Sequence, residues 1–341
     1  MIGLLTGVWP LWLSIGVLVA AAGVLWVAGT RLAHTADELS DRTGLGEAIG
    51  GALFLGGVTS LSGIITTVTG ALAGDAGFAL ANPVGGVAIQ TVWLAIADLI
   101  YRRANLEHAA ASLQNLMQSL ILVALLSLPV IAYATPQFVW GWVHPVTIFI
   151  PVLYGYSLFL LRRMQATPMW KPQKTDDTVP DQPEEPSSTS LRALWAMFAG
   201  LAVVVGITGW AIGRAGLGLV EATGWPSDVT GFTITTAISS LPELVTLIAA
   251  VRMGALTLGL GNIIGGNVFD TLLISISDVA YTEGTIYQAA GTSSLVLLAA
   301  TAFMASVLAV GLLARERKGI GFEGFAIPGI YVATVVLAIT A

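Results

Sequence analysis

Ala237-Ile-Ser-Ser-Leu-Pro-Glu-Leu-Val-Thr246, with Gly261-Asn-Ile-Ile-Gly-Gly-Asn-Val-Phe-Asp270 after it, sets two carboxylic acids, Glu243 and Asp270, at matching depths in two consecutive apolar runs. An ionisable side chain inside a membrane segment is expensive, so it marks a functional site by default. Pro242 and the glycines can interrupt a helix and release main-chain carbonyls. That is tolerated at membrane depth only where protein or a water-filled cavity covers the freed groups. Carboxylate, hydroxyl, amide and carbonyl oxygens together suit a hard cation. The plainer alternative is a buried acid satisfied by its neighbours beside a packing kink.

The surrounding composition fixes the class. The chain has 341 residues, 55% hydrophobic and only 10% charged, with a mean hydropathy of +0.84. Several apolar runs reach the roughly 20 residues that span a bilayer. An all-α polytopic membrane protein is expected, its first apolar run a retained span and not a signal peptide. The absence of cysteine excludes disulfides, thiolate metal sites and a cysteine nucleophile. Three scattered histidines (His34, His108, His144) argue against a multi-histidine metal site, and no serine–histidine–acid set can be assembled. No enzyme activity and no cofactor are expected. The expected partners are the lipid bilayer and cations, not nucleic acid, with the chain a monomer or weak homo-oligomer. Glycine pairs such as Gly50-Gly51 and Gly85-Gly86 lack a following Lys-Ser/Thr and read as close helix contacts. Trp9, Trp12, Trp140, Trp142, Trp170 and Trp225 fall near expected interfaces, as an aromatic belt does.

Ten spans are expected, at about 8–29, 46–72, 77–100, 115–134, 139–161, 191–213, 229–251, 255–279, 290–313 and 320–341. Residues 165–190 are Pro-rich and acidic, cannot bury a core, and read as a disordered linker. That linker separates a first five-helix unit (1–164) from a second (191–341). With the N-terminus outside, 13 of the 14 basic residues, all but Arg214, fall on inner loops or span ends. Both termini are then outside a cell membrane and the linker is cytoplasmic. An odd number of spans per half inverts the second half, and a repeat is present at a constant offset of 180 residues. Over 51–98 against 231–278, twelve of 48 positions are identical without a gap. They include Ser60 with Ser240, Asn82 with Asn262, Gly85-Gly86 with Gly265-Gly266, and Asp98 with Asp278. Inverted repeats with matching interrupted helices are the layout of secondary transporters, with the site at the midplane.

At these residues the chain resembles the cation/calcium exchanger superfamily, the sodium/calcium exchangers and their prokaryotic relatives. The paired motifs of that family read roughly G-T-S-L-P-E and G-N-x-x-G-S-N. Here they are Ser239-Ser-Leu-Pro-Glu243 and Gly261-Asn-Ile-Ile-Gly-Gly-Asn267, approached through Thr223-Gly-Trp-Pro-Ser-Asp-Val-Thr-Gly231. The resemblance implies ten helices in two inverted repeats, with spans 2, 3, 7 and 8 around central cation sites. Spans 1 and 6 would be long, tilted helices that slide across that core. Carried over, Glu243 and Asp270 are the charged ligands, Ser239 and Ser240 supply hydroxyls, and Thr236 offers a main-chain carbonyl. Asn262, Asn267, Thr59 and Ser60 complete the expected set, and Gln90, opposite Asp270, enters as a neutral oxygen donor.

The first repeat departs from that pattern. Gly63, in Thr59-Ser-Leu-Ser-Gly63, stands where the family has its other glutamate; Val87 stands opposite Asn267, and Gly86 and Gly266 replace the family's serine. Calcium takes six to eight oxygens and its affinity rises with ligand charge, so losing one acid weakens a calcium site. Two acids still neutralise Ca²⁺ formally, whereas neutral oxygens with one or two acids suit Na⁺. Burial disfavours a charged carboxylate, which equally suits a proton carried on Glu243. The expected function is a secondary cation antiporter carrying Ca²⁺, Na⁺ or H⁺. The alternative is a non-transporting sensor or partner protein that keeps the fold with half the site lost. Asp98 and Asp278 are expected to be helix-end acids beside water, Glu47 either a first-turn acid near the helix dipole or a residue of an inner vestibule, and His144 a helix-end histidine.

Overall fold

Each run expected to cross the bilayer is helical in the computed structural model, which describes residues 8–43, 49–100, 112–135, 139–166, 188–253, 256–314 and 321–340. The first half holds α1 (Leu11–Thr43), α2 (Ile49–Thr59), α3 (Leu61–Leu72), α4 (Ala76–Ile100), α5 (Leu113–Ala134) and α6 (Val146–Ala166). The second holds α7 (Leu191–Thr223), α8 (Ser227–Ser239), α9 (Leu241–Met253), α10 (Leu256–Ala280), the short α11 (Ile286–Ala289), α12 (Thr292–Ala314) and α13 (Phe322–Thr340). No strand occurs among the described residues. Eight of these helices are long and apolar enough to cross a membrane, and α8 with α9, bent by 52°, makes a ninth. In the place of the second expected span, α2 and α3 are 11 and 12 residues long. At about 1.5 Å per residue neither reaches across a hydrocarbon core of about 30 Å alone. The protein is a multi-pass membrane protein.

Helix boundaries follow the 180-residue offset seen in the sequence. Residues 11–43 match 191–223, 76–100 match 256–280, and breaks fall at Ser60 and Ser240. The first and sixth spans extend well past their expected ends at 29 and 213. Thr30–Thr43 continues α1 because Leu32, Thr35, Ala36, Leu39 and Ser40 make a buried stripe at helical spacing, with the charges of that segment elsewhere. At 33 residues each, α1 and α7 are about 50 Å long and must tilt or project from the bilayer. Most of the linker (167–187) and Glu47 lie outside the described residues, as does the side chain of Asp98.

Two apolar clusters organise the packing. The larger joins α3–α6 and α8–α13, with Leu80, Leu94, Leu122, Phe232, Ile264 and Tyr287 buried at its centre. The smaller is the seam of α1 with α7, closed by Trp9, Leu18, Leu25, Leu32, Val205 and Ile212. The opposite faces of those two helices carry exposed Trp12, Val19, Val203 and Ile207, as lipid-facing helices do. Glycine lets α7 run close to the core. A Cβ on Gly209 would stand 2.5 Å from the Ser62 carbonyl oxygen, and one on Gly213 2.8 Å from Thr69 Cβ.

Asp278 departs from its expected place beside water. It is fully buried at the end of α10. Its Oδ2 accepts hydrogen bonds from the His144 main-chain N–H (2.9 Å) and Thr147 Oγ1 (2.6 Å), and Oδ1 accepts from the Ile286 N–H (2.8 Å). It therefore ties the starts of α6 and α11 to α10, and His144, itself buried, belongs to the same knot. Asp278→Ala orphans three buried donors at about 1–3 kcal/mol each. We expect a clearly lower thermal midpoint in detergent, with residual cation flux falling only as the folded fraction falls.

Candidate functional site

The site forms where α8 gives way to α9 and α2 to α3. Ser60 and Ser240 leave helical geometry (φ −83°, ψ 6° and φ −96°, ψ 12°). Pro242 has no N–H to give the carbonyl of Ile238 one turn back, which is why the second break is bent. The Ser239 carbonyl at this break accepts the Ser62 hydroxyl at 2.7 Å. A π turn at Gly231–Thr235 precedes this break, a distortion that often accompanies functional sites.

Around the breaks lies a cavity of about 10 Å³, close to the room one water-sized particle needs. It is lined by Ser60 and Gly63, by Asn82, Pro83 and Gly86 of α4, by Ser239, Ser240 and Glu243, and by Asp270 and Leu273 of α10. Both acids are buried, Glu243 at 9% and Asp270 at 4% exposure. Asp270 is well supplied with donors. Ser60 Oγ donates to Oδ1 at 2.5 Å, and Gln90 Nε2 donates to Oδ2 at 3.0 Å and to Ser240 Oγ at 3.5 Å. Glu243 is not: its Oε2 is buried without a hydrogen-bond partner. Gln90 Oε1 and Asn267 Oδ1 are likewise buried and unpaired. Of these three bare acceptors Glu243 lines the cavity, where a cation would relieve it, since acceptors cannot satisfy one another.

Of the expected site residues, Glu243, Asp270, Ser239, Ser240 and Ser60 meet at the cavity. Gln90 reaches Asp270 from α4, but in the opposite sense to the one expected. It offers its nitrogen and not its oxygen, because a carboxylate can only accept. Asn267 lies beside the site, its Nδ2 donating to Thr91 Oγ1 at 3.2 Å. Thr59 turns away, its hydroxyl bonded to the carbonyls of Leu55 and Gly56 in its own helix. The Thr236 carbonyl is occupied by the Ser240 N–H and the Ser239 hydroxyl. Asn262 is exposed and does not line the cavity. No group of three or more His, Cys, Asp or Glu residues that could hold a metal is present among the described residues.

Sequence reading paired Asn82 with Asn262 through the 180-residue offset but carried only Asn262 into the expected site. Asn82 is 2% exposed. Its Oδ1 accepts from Thr235 and Thr236, its main-chain carbonyl accepts Thr236 Oγ1 at 2.7 Å, and its Nδ2 donates to Thr67. Beside it Gly85 meets the main chain of Phe232. The α4–α8 side of the cavity is thus sealed, while on α10 the residue at the matching position, Asn262, is exposed.

A family model described as "Sodium/calcium exchanger protein" matches residues 13–162 and 192–340. The fold is similar to that of the crystal structure of "H+/Ca2+ Exchanger CAX" (TM-score 0.70, 12% identity, 96% of this chain and 86% of that one). It is also similar to native YfkE (0.60, 15%, 100% and 95%). A third similar structure is the sodium-calcium exchanger NCX_Mj soaked with Na⁺ and Sr²⁺ (0.58, 15%, 96% and 99%). No curated protein sequence matches the chain.

Proposed function

The chain belongs to the sodium/calcium exchanger protein family, and from that premise we propose that it is a secondary active cation antiporter working by alternating access. The observation that carries this reading is Glu243: a buried acid at a helix break, its Oε2 unpaired, facing a polar cavity large enough for one small ion. A charge so placed in a membrane protein is costly unless a mobile cation or proton neutralises it.

The unequal surroundings of Asn82 and Asn262 support a one-sided access state. Residues 262, 266 and 270 share a face of α10 at one-turn spacing, so the exposed Asn262 stands on the approach to Asp270. Asn82, on the other side, is locked to α8 by three hydrogen bonds. With the orientation set by the basic residues, the sealed side is external and Asn262 faces the cytoplasm. Transport then requires the α4–α8 contacts to open as the α10 side closes, with the long α1–α7 pair moving against the core.

Cation flux into sealed proteoliposomes tests the reading, under opposed Na⁺, H⁺ and Ca²⁺ gradients in turn. Uptake of any one of these ions driven by the gradient of another is the expected result. Folded protein that moves none of them above the level of protein-free vesicles would sink the antiporter reading and leave a non-transporting protein.

A further inference from the structure

Asp270 and Glu243 differ in what they still need. Both oxygens of Asp270 are met by protein donors, Ser60 Oγ and Gln90 Nε2, whereas Oε2 of Glu243 has none. Glycines flank the Gln90–Asp270 pair, and a side chain at either would come only into ordinary contact with it. A Cβ on Gly86 would lie 3.4 Å from Asp270 Oδ2 and 4.0 Å from Gln90 Nε2, and one on Gly266 3.7 Å from Gln90 Oε1. Gly63, on the cavity wall, adds no charge, and a Cβ there would meet only Leu273 Cδ2 at 3.6 Å.

The geometry points to Gln90 as the specificity-determining residue: its amide nitrogen serves as the permanent partner of Asp270, leaving a site with one carboxylate free of protein partners, Glu243, that takes Na⁺ and rejects Ca²⁺. This rests on the antiporter reading above. A divalent ion would have to strip the amide from Asp270, and it would meet the positive end of the amide dipole where it needs its second carboxylate. Asp270 keeps its charge, but a divalent ion, which takes six to eight oxygens, would have to displace a donor from it to gain a second carboxylate ligand. A monovalent ion needs only Glu243 and the serine oxygens of the cavity as ligands, with the charge of Asp270 held by its two donors. A proton on Oε2 fits less well, because the new O–H would have no acceptor within hydrogen-bond reach.

The test is ²²Na⁺ exchange by the full chain in sealed liposomes, with Ca²⁺ as competitor, beside ⁴⁵Ca²⁺ uptake. For the unaltered protein we expect saturable Na⁺ exchange that millimolar Ca²⁺ slows by less than about twofold, and ⁴⁵Ca²⁺ uptake no greater than that of Glu243→Gln. Gln90→Glu keeps the side-chain length and replaces the donor by a charge. It should make Ca²⁺ at least about tenfold more potent as a competitor, and Gly63→Glu should act in the same direction. Since either variant could misfold, Na⁺- and Ca²⁺-dependent shifts of the thermal midpoint are also compared on the unaltered protein, a shift with Na⁺ alone being expected. Glu243-dependent ⁴⁵Ca²⁺ transport, or proton flux without Na⁺ exchange, would overturn the assignment while leaving the antiporter intact. Folded variants whose Ca²⁺ sensitivity does not change would overturn the role of Gln90. Absence of all flux from folded protein would remove both readings.

Discussion

Glu243→Gln should reduce cation exchange to the level of protein-free liposomes while leaving the protein folded and at least as thermally stable. The substitution keeps shape and volume, removes the charge and replaces one acceptor oxygen by an amide donor. A unit charge 4 Å from a monovalent ion contributes on the order of 4 kcal/mol at an effective dielectric of about 20, close to 1,000-fold in affinity. Stability moves the other way, because Oε2 of Glu243 has no protein partner and burying an unpaired carboxylate opposes folding. Tracer flux and a thermal melt on the same preparation separate the two effects. Wild-type flux in the variant would show that Glu243 does not carry the cargo. Lost flux with a lowered melt would make the residue structural.

Gly85→Ala is expected to be the most damaging single-methyl addition in the core. Its Cβ would fall 2.4 Å from the Phe232 carbonyl oxygen, 2.6 Å from Phe232 Cα and 2.8 Å from its carbonyl carbon. All three atoms are main chain, so no side chain can rotate aside and α4 must separate from α8. Overpacking of this kind costs about 1–3 kcal/mol. The same separation should disturb the Asn82–Thr235–Thr236 hydrogen bonds that seal one side of the cavity. A lower thermal midpoint is expected together with impaired exchange. Gly206→Ala on α7, where a Cβ meets nothing within 4 Å, is the control and should be neutral or slightly stabilising through helix propensity. Equal melting of the two variants would show that the α4–α8 contact is looser than its geometry.

Much of this was legible in the one-dimensional pattern. Apolar run length, bounded by hydrocarbon thickness, located each membrane helix, and the identities at an offset of 180 residues anticipated the paired breaks at Ser60 and Ser240. The cost of a buried acid singled out Glu243 and Asp270. Helix ends were less legible. Polar Thr30–Thr43 continues α1 only because other helices cover one of its faces, and run-length reasoning sees no such partner. Asp278 looked like a helix-end acid because its three donors come from residues 144, 147 and 286, which no local window joins.

The sequence by itself determined the membrane class, the family and the two acids, since these depend on apolar run length, motif spacing and the price of burying charge. Only the tertiary structure decided what each polar atom does. It turned the nitrogen of Gln90, and not its oxygen, toward Asp270, returned the Thr59 hydroxyl to its own helix, left Asn262 exposed while Asn82 sealed the opposite side, and left Glu243 Oε2 bare. The reason is physical: hydrogen-bond partnership is a property of neighbours in space, and around this cavity they come from helices up to 210 residues apart in the chain.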